Sequence, residues 1–366
     1  MQKLVGSFPV TAILGPRQCG KSTLAGLLAP AHRFDMENPR DQARLQQPQT
    51  ALEDLTGLVM IDEIQRKPDL FPLLRFLCDQ SPARRFLVLG SASRDLIRQG
   101  SETLAGRIAY HQLGGFRLSD VEDQRRLWIR GGFPRAYLAE DDAMSDSWKQ
   151  QYITTFLERD IPQLGIDIPA QTLRRFWMML AHYHGQILNF SELATSFGVS
   201  DKTVRRYLEI LEGAFMVRLL LPWYSNIGKR QVKSPKLYLR DSGIFHALMR
   251  VQNEEDLLSH PKLGASWEGF ALEECIKAAG LESGEAFFWK PHDGQGELDL
   301  FFLRHGKNQG IEFKFADAPT VSRSMRNSVD LLDLEHLWVV YPGNETYRLD
   351  PRITVLPLRQ VPATFG

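Results

Sequence analysis

Residues 15–22 read Gly15-Pro16-Arg17-Gln18-Cys19-Gly20-Lys21-Ser22, and they directly follow the apolar run Val10–Leu14. In the spacing G-x-x-x-x-G-K-S, glycines let successive backbone N–H groups point at phosphate oxygens, and the following helix adds its positive end. Lys21 can reach the β- and γ-phosphates, and the Ser22 hydroxyl can ligate Mg²⁺. A chance match would lack this order of strand, loop and helix. The residues predicted to bind ATP are Gly15, Pro16, Arg17, Gln18, Cys19, Gly20, Lys21, Ser22 and Thr23.

A second apolar run, Leu58–Ile61, ends in the acidic pair Asp62 and Glu63. A buried parallel strand that delivers a carboxylate at its tip supports Mg²⁺ in phosphate-loop proteins. We therefore predict that Asp62 lies on the metal side and that Glu63 orients or deprotonates an attacking water. The pair favours an ATP-hydrolysing enzyme over the alternative of a small-molecule kinase.

Composition restricts the class of protein. The chain has 366 residues and 43% hydrophobic content, which predicts two or three domains with sizeable cores. Its formal net charge is zero, so bulk charge gives no argument for nucleic acid. No apolar stretch is long enough for a membrane span, and no secretory leader is visible. The three cysteines (Cys19, Cys78 and Cys275) are too widely separated for a zinc site or a disulfide framework. Free cysteines are typical of a reducing compartment, so we expect a cytoplasmic protein.

The order of the predicted elements divides the chain into four parts. Apolar strand-like runs alternate with helical patterns through residue 115, which predicts a parallel α/β sheet. Helical spacing dominates the next part, and Ser191–Leu211 then reads as a helix-turn-helix followed by a wing strand at Phe215–Leu221. The predicted parts are an ATPase core at 1–115, a helical linker or lid at 116–185, a winged helix-turn-helix at 186–254 and a small α/β domain at 255–366.

Two further residues are candidates for the ATPase site. Ser91 follows the predicted buried strand Phe86–Leu89, where its hydroxyl could touch the γ-phosphate or the attacking water. The alternative is a helix N-terminus, capped by Ser93. Arg107 precedes the last strand of the series and is a candidate arginine finger, acting in cis or on a neighbouring subunit. A simple surface arginine is the alternative for Arg107.

Basic residues are concentrated in residues 201–240. The segment has nine basic and three acidic residues, a local charge of +6 in a neutral chain. A helix-turn-helix with a basic face predicts contact with the DNA backbone, although such domains also serve as protein-binding lids. The basic residues are Lys202, Arg205, Arg206, Arg218, Lys229, Arg230, Lys233, Lys236 and Arg240.

Acidic residues in the last part of the chain follow the order of a metal-dependent nuclease. Glu268 lies on a predicted helix, Asp299 on a strand, and Glu312 and Lys314 share one face of the next strand. We predict that Glu268, Asp299 and Glu312 hold one or two Mg²⁺ ions while Lys314 positions the attacking water. The alternative is a nuclease-like fold that only binds its partner.

Together these stretches resemble a prokaryotic family of P-loop ATPases of the AAA+ type whose C-terminal domain is of unknown function. The resemblance covers essentially the whole chain, and it implies an ATPase core, a winged-helix region and a restriction-endonuclease-like domain. Proteins of this family usually have a helical segment before the first strand, and it often helps to hold the adenine. Only nine residues precede Val10 here, so we expect the adenine to be recognised by a segment upstream or by another part of the protein. The stretches that carry the resemblance are Gly15–Thr23, Ile61–Gln65, Leu104–Arg107, Gly131–Pro134, Glu158–Ile161, Lys229–Tyr238 and Asp241–Gly243.

The sequence thus predicts an Mg²⁺-dependent ATPase that couples its nucleotide state to a DNA-binding C-terminal half, with DNA cleavage left open. The alternative is a regulatory NTPase switch whose C-terminal domains only bind protein or nucleic acid. ATP, Mg²⁺ and DNA are the expected ligands, a homo-oligomer is one expected form, and no membrane partner is expected.

Overall fold

A computed structural model describes residues 1–81, 83–90, 100, 102–163, 168–224, 233–282, 284–291 and 296–366. The chain forms two compact units. The first comprises residues 1–115 with 209–215, and the second comprises residues 116–208 with 216–366. Among the described residues, no helix is both long and apolar enough to cross a membrane.

The first unit is built on a five-stranded sheet in the order β2-β3-β4-β1-β5, and every neighbouring pair of strands is parallel. The three central strands β3, β4 and β1 are almost entirely buried because helices cover both faces of a parallel sheet. The predicted parallel α/β core is confirmed. The elements are α1 (Gln2–Ser7), β1 (Val10–Leu14), α2 (Lys21–Gly26), β2 (His32–Asp35), α3 (Pro39–Arg44), α4 (Pro48–Leu52), β3 (Leu58–Asp62), a 3₁₀ turn (Ile64–Arg66), α5 (Leu70–Gln80), β4 (Arg85–Gly90) and β5 (Ile108–Gln112).

Helices dominate the first half of the second unit. The long helix Asp142–Thr155 begins where the Asp141 carboxylate accepts a hydrogen bond from the Met144 N–H (2.7 Å) and caps the helix. A π-helical turn, Phe156–Asp160, follows it directly. The last residues of the final helix in this series, from residue 209 onward, belong to the first unit. The described helices up to residue 213 are α6 (Gln124–Arg130), α7 (Pro134–Tyr137), α8 (Asp142–Thr155), α9 (Ile161–Gln163), α10 (Ala170–His182), α11 (Phe190–Phe197) and α12 (Asp201–Gly213).

A sheet organises the rest of the second unit, and its strands in the described residues are β6 (Gln186–Ile187), β7 (Val217–Pro222), β8 (Lys236–Leu239), β9 (Phe287–Trp289), β10 (Leu298–Arg304), β11 (Lys307–Phe313), β12 (His336–Tyr341), β13 (Tyr347–Asp350) and β14 (Ile353–Pro357). Their order in the sheet is β13-β14-β12-β11-β10-β9-β7-β8-β6. Strand β10 runs antiparallel to both β9 and β11, whereas β11, β12 and β14 are parallel. The helices are α13 (Ser242–Met249), α14 (Glu254–Leu258), α15 (Leu263–Ala278), α16 (Arg323–Leu331) and α17 (Val361–Phe365).

Candidate functional site

The loop between β1 and α2 has the backbone shape that phosphate binding needs. Gln18 and Gly20 have positive φ angles of 62° and 101°, which turn the chain sharply before α2 begins at Lys21. Gly15 cannot carry a side chain, because a Cβ there would lie 2.1 Å from the carbonyl oxygen of Leu113. The two glycines of the motif are therefore required by different steric constraints, one by a close backbone approach and one by its conformation.

The side chain of Lys21 is folded into this loop. Lys21 is buried, and its Nζ donates hydrogen bonds to the carbonyl oxygens of Gly15 (3.0 Å) and Pro16 (2.8 Å). The loop therefore holds the ammonium group against its own backbone, at the start of α2. This combination gives a compact positive site for phosphate oxygens.

Ser22 and Asp62 meet although they come from different elements. The Ser22 hydroxyl donates a hydrogen bond to Oδ2 of Asp62 (2.6 Å), and Oδ1 of Asp62 accepts one from the Glu63 N–H (2.9 Å). Strand β4 lies between β1 and β3, so the carboxyl ends of all three strands share one edge of the sheet. A hydroxyl and a carboxylate are hard oxygen donors, and this donor set fits Mg²⁺.

Glu63 occupies a strained position beside the Asp62 carboxylate. Its φ of 51° lies in the left-handed region that non-glycine residues seldom adopt, and such strain is often found at functional sites. The Gln65 amide donates a hydrogen bond to Oε2 of Glu63. Burial raises the pKa of the Glu63 carboxyl, and the Gln65 and Lys21 side chains oppose that rise only in part. A carboxyl with a raised pKa is a better proton acceptor than an exposed glutamate.

An exposed ion-pair group lies beside this site. Glu37, which follows β2, accepts hydrogen bonds from Arg66 (2.6 Å) and from Arg17 of the loop (3.5 Å). Sequence reasoning missed Glu37, Gln65 and Arg66. Gln65 and Arg66 follow the Asp62-Glu63 pair within three residues, which is a usable signal, but Glu37 has no local signal.

The remaining residues of the predicted ATPase site have different positions. Thr23 is exposed on α2, and the Cys19 thiol donates to the Leu113 carbonyl oxygen (3.3 Å) while burial raises its pKa. Ser91 lies outside the described residues. Its contact with the γ-phosphate or the attacking water stays a prediction.

Arg107 is not brought to the phosphate loop. It precedes β5 at the amino edge of the parallel sheet, and its carbonyl accepts the Val10 N–H at the start of β1. Its guanidinium pairs with Asp79 through Nε (2.7 Å) and Nη2 (3.1 Å). In this structure Arg107 therefore lies away from the phosphate loop of its own chain, which follows the opposite, carboxyl end of β1. A role toward a neighbouring subunit stays a prediction.

The C-terminal acidic residues do come together, and a lysine lies among them. Strands β10 and β11 pair so that Asp299 comes beside Glu312, and Asp299 Oδ2 accepts the Phe313 N–H (3.0 Å). Lys314 Nζ donates to Oε1 of Glu312 (2.9 Å). Lys236 Nζ contacts Asp299 at 3.4 Å and is the centre of the group. We name this group the lysine–carboxylate cluster; its members are Lys236, Tyr238, Glu268, Lys290, Glu297, Asp299, Glu312 and Lys314.

Burial and mutual repulsion raise the pKa values of two acidic members of the cluster, whereas neighbouring lysines lower the pKa of a third. Burial and the nearby Asp299 raise the pKa of Glu268 to about 7 and that of Glu312 to about 8. Burial also opposes ionisation of Glu297, but Lys236 and Lys290 outweigh it and lower its pKa. One oxygen of Glu312, Oε2, is buried without a hydrogen-bond partner.

The predicted second metal site is not supported by this arrangement. Among the described residues, no group of three or more histidine, cysteine, aspartate or glutamate side chains has a geometry that could hold a metal ion. Glu268, Asp299 and Glu312 are neighbours, but the ammonium group of Lys236 contacts the carboxylates of both Glu268 (3.6 Å) and Asp299 (3.4 Å). Sequence reasoning placed Lys236 in the DNA-binding segment and so missed its part in this cluster.

The basic segment 201–240 is also less exposed than predicted. Arg218 and Arg240 both pair with the buried Glu273, and Lys236 is 3% exposed. These three charges have internal acidic partners. Lys229 and Arg230 lie outside the described residues. The exposed basic residues on α12 are Lys202, Arg205 and Arg206.

Three family models match the chain in succession. The first is an AAA domain at residues 7–122, the second is a domain of unknown function (DUF8612) at residues 121–255, and the third is a domain of unknown function (DUF4143) at residues 263–361. The AAA match and the parallel sheet support a P-loop ATPase fold for the first part of the chain. The DUF4143 match does not confirm the expected restriction-endonuclease-like fold.

Two curated relatives match the chain over its whole length. They are "Uncharacterized protein Rv2008c" of Mycobacterium tuberculosis (strain ATCC 25618 / H37Rv) and "Uncharacterized protein Mb2031c" of Mycobacterium bovis (strain ATCC BAA-935 / AF2122/97). Each is 48% identical over 371 residues, which cover 100% of this chain and 83% of the relative. The chain belongs to the family of these two proteins.

Solved structures give weaker likenesses. A chain in the structure of Drosophila ORC bound to AT-rich DNA and Cdc6 is 10% identical, with a TM-score of 0.22, and the match covers 69% of this chain and 89% of that one. The crystal structure of protein VC1899 from Vibrio cholerae is 12% identical, with a TM-score of 0.20, and the match covers 97% and 96% of the two chains. Scores this low do not support an argument about fold or function.

Proposed function

We propose that this family member is an Mg²⁺-dependent ATPase in which residues 15–23 bind the phosphates of ATP. The observation that carries the proposal is the 2.6 Å hydrogen bond between Ser22 and Asp62, two oxygen ligands supplied by helix α2 and strand β3 at one edge of the sheet. Ser22 and Asp62 would hold Mg²⁺ at this edge, where the ion would neutralise charge on the phosphate oxygens.

The remaining chemistry belongs to Lys21 and Glu63. The Lys21 ammonium, now held by two loop carbonyls, would exchange these partners for phosphate oxygens. Glu63 would accept the proton of the attacking water, a role suited to a partly buried carboxyl with a raised pKa. Gln65 holds Oε2 of Glu63, so we assign Gln65 as a positioning residue for the base.

Substitution of the base tests this assignment. Glu63→Gln keeps the shape and hydrogen bonding of residue 63 but removes proton acceptance, so we expect ATP to bind with near-normal affinity and turnover to fall by roughly 10²–10⁴-fold. Lys21→Ala should weaken ATP binding itself. The exposed Glu102→Gln serves as a matched control and should leave both measurements unchanged. Turnover by Glu63→Gln at the rate of the unsubstituted protein would refute the role of Glu63.

DNA contact is the second proposed function, and one observation favours it. Lys202, Arg205 and Arg206 are exposed and share one face of α12, since residues three and four apart are neighbours on a helix. Helix α12 follows α11 after a turn at Gly198, whose φ is 67°. Helix α12 would then contact DNA phosphates as the second helix of a helix-turn-helix. Binding to a fluorescent duplex at several salt concentrations, with and without ATP, tests both the contact and its coupling to nucleotide.

A further inference from the structure

We infer that Lys236 supplies the cation of the lysine–carboxylate cluster in the C-terminal domain, where its ammonium group replaces a divalent metal ion. The domain is then a metal-independent module, and its D…E-x-K order does not make it a nuclease. The inference concerns the second unit alone and is independent of the ATPase proposal.

The contacts of Lys236 carry this inference. Its side chain is 4% exposed, and Nζ lies 2.9 Å from Glu297 Oε1, 3.4 Å from Asp299 Oδ1 and 3.6 Å from Glu268 Oε1. It also lies 5.6 Å from the centroid of the Phe288 ring. Three carboxylates thus converge on one ammonium group, Glu268 from α15 and both Glu297 and Asp299 from the segment at the start of β10.

These distances leave no room for a second cation in the same place. Oxygens bound to Mg²⁺ or Ca²⁺ lie about 2.0–2.6 Å from the ion. An ion bound at that distance by Glu297 Oε1, Asp299 Oδ1 and Glu268 Oε1 would occupy the position of the Lys236 ammonium, and the two positive charges would repel each other. A lysine side chain is already part of the folded chain, so it loses no translational entropy on entering the cluster, whereas an ion that binds from solution does.

The charge state of Lys236 supports the same conclusion. Burial alone would favour the neutral amine, but the acidic groups around it, including Tyr238, Asp299 and Glu268, raise its pKa well above the ordinary value. The lysine is therefore fully charged at neutral pH. Tyr238 adds a hydrogen bond from its hydroxyl to Glu268 Oε1 (2.6 Å), which satisfies that oxygen.

The position of Lys236 in the fold gives the cluster a structural role. Lys236 lies on β8, whereas Asp299 lies on β10 and Glu268 on α15. Strands β7 and β9 separate β8 from β10 in the sheet order. The buried ion pairs therefore tie the β6–β8–β7 side of the sheet to the strands that carry the acidic residues.

Metal binding and thermal stability of the full chain test the inference. We expect the nucleotide-free protein to show no Mn²⁺ binding that depends on Asp299, as measured by electron paramagnetic resonance of free Mn²⁺ with Asp299→Asn for comparison. Mn²⁺ or EDTA should leave its melting temperature unchanged. Binding that survives in Asp299→Asn belongs elsewhere and agrees with the inference.

Replacement of the lysine should produce the opposite result. Lys236→Met leaves buried carboxylates without their cation, so we expect the melting temperature to fall by roughly 10 °C. Mn²⁺ should then bind the variant at about millimolar concentration and recover part of the loss. The matched control is Lys290→Met, which removes a half-exposed ammonium that contacts Glu297 at 2.7 Å and should have little effect.

Three results would overturn the inference. The first is Mn²⁺ binding by the unsubstituted protein that Asp299→Asn abolishes, and this measurement does not depend on the folding of any lysine variant. The second is a Lys236→Met protein that melts like Lys290→Met. The third is a folded Lys236→Met protein that takes up no Mn²⁺, because the ammonium would then not stand in the place of a metal.

Discussion

The substitution Glu273→Gln tests whether Arg218 and Arg240 are internal charges or part of a DNA-binding surface. The side chain of Glu273 is 3% exposed. Its carboxylate accepts hydrogen bonds from Nε and Nη2 of Arg218, the latter at 3.1 Å, and from Nε of Arg240 at 3.3 Å. Glutamine has nearly the same shape, so the substitution removes the negative charge while the packing is kept.

The expected loss of stability follows from the pKa of Glu273. Burial would raise this pKa, but Arg218 and Arg240 outweigh it and hold the value at about 2, against an ordinary value of 4.5. At about 1.4 kcal/mol per pKa unit, the difference corresponds to roughly 3–4 kcal/mol at neutral pH. Breaking a buried ion pair costs about 3–5 kcal/mol in other proteins, so the two routes agree. Because the folded pKa is lowered, this contribution is present above pH 4.5 and is lost as the pH falls through about 2.

Urea denaturation at pH 7, followed by tryptophan fluorescence, measures the effect, because Trp128 and Trp267 lie in the core of the same unit. The control is Asp330→Asn, which removes an exposed partner of Arg352 and should cost less than about 1 kcal/mol. A Glu273→Gln protein within about 1 kcal/mol of the unsubstituted chain would refute the reasoning.

Three further variants test separate parts of the structure. Replacing both Arg205 and Arg206 by alanine should make the plot of log binding constant against log salt concentration less steep, by about one unit of slope for each lost phosphate contact. An unchanged slope would exclude α12 from the interface. Because the pKa of Glu312 is raised to about 8, its contribution to stability is complete below pH 4.5 and is lost as the pH rises through about 8. Glu312→Gln should therefore flatten the decline in unfolding free energy between pH 5 and 8. Parallel plots of unfolding free energy against pH for the variant and the unsubstituted protein would contradict this. Gly269→Ala would place a Cβ 2.1 Å from a buried histidine ring nitrogen and should cost about 1–3 kcal/mol in thermal or urea unfolding, whereas Gly264→Ala on the same helix has open space and should be neutral or stabilising.

Local signals were enough to predict the phosphate loop and the parallel sheet of the first unit. The glycine spacing before Lys21 and the apolar runs of β1 and β3 depend only on neighbouring residues, and the Ser22–Asp62 contact follows from the shared edge of a parallel sheet. The same rule could have located Arg107. A residue directly before a parallel strand lies at the amino edge, away from nucleotide bound at the carboxyl edge.

The partners of buried charges could not be predicted in this way. Lys236 meets Asp299 across 63 residues of sequence, and Arg218 meets Glu273 across 55. Counting charge along a segment treats these cations as exposed, because their neutralising carboxylates lie elsewhere in the chain. Strand β8, which carries Lys236, has only four residues, too few for a clear alternation pattern.

Two of the stretches that carry the family resemblance are explained by packing and need no ligand. The Asp241 carboxylate accepts hydrogen bonds from the N–H of Gly132 (2.8 Å) and from a backbone N–H at the start of α13, so it joins the end of α6 to the start of α13. Gly131 has a φ of 81°, and a Cβ there would lie 2.2 Å from Asp241 Oδ1. A Cβ on Gly243 would lie 2.1 Å from the Arg130 carbonyl oxygen. Both glycines are therefore required by the close approach of two chain segments. A glycine-rich motif indicates a phosphate site only where, as at Gly15–Ser22, it lies between a parallel strand and the N-terminus of a helix.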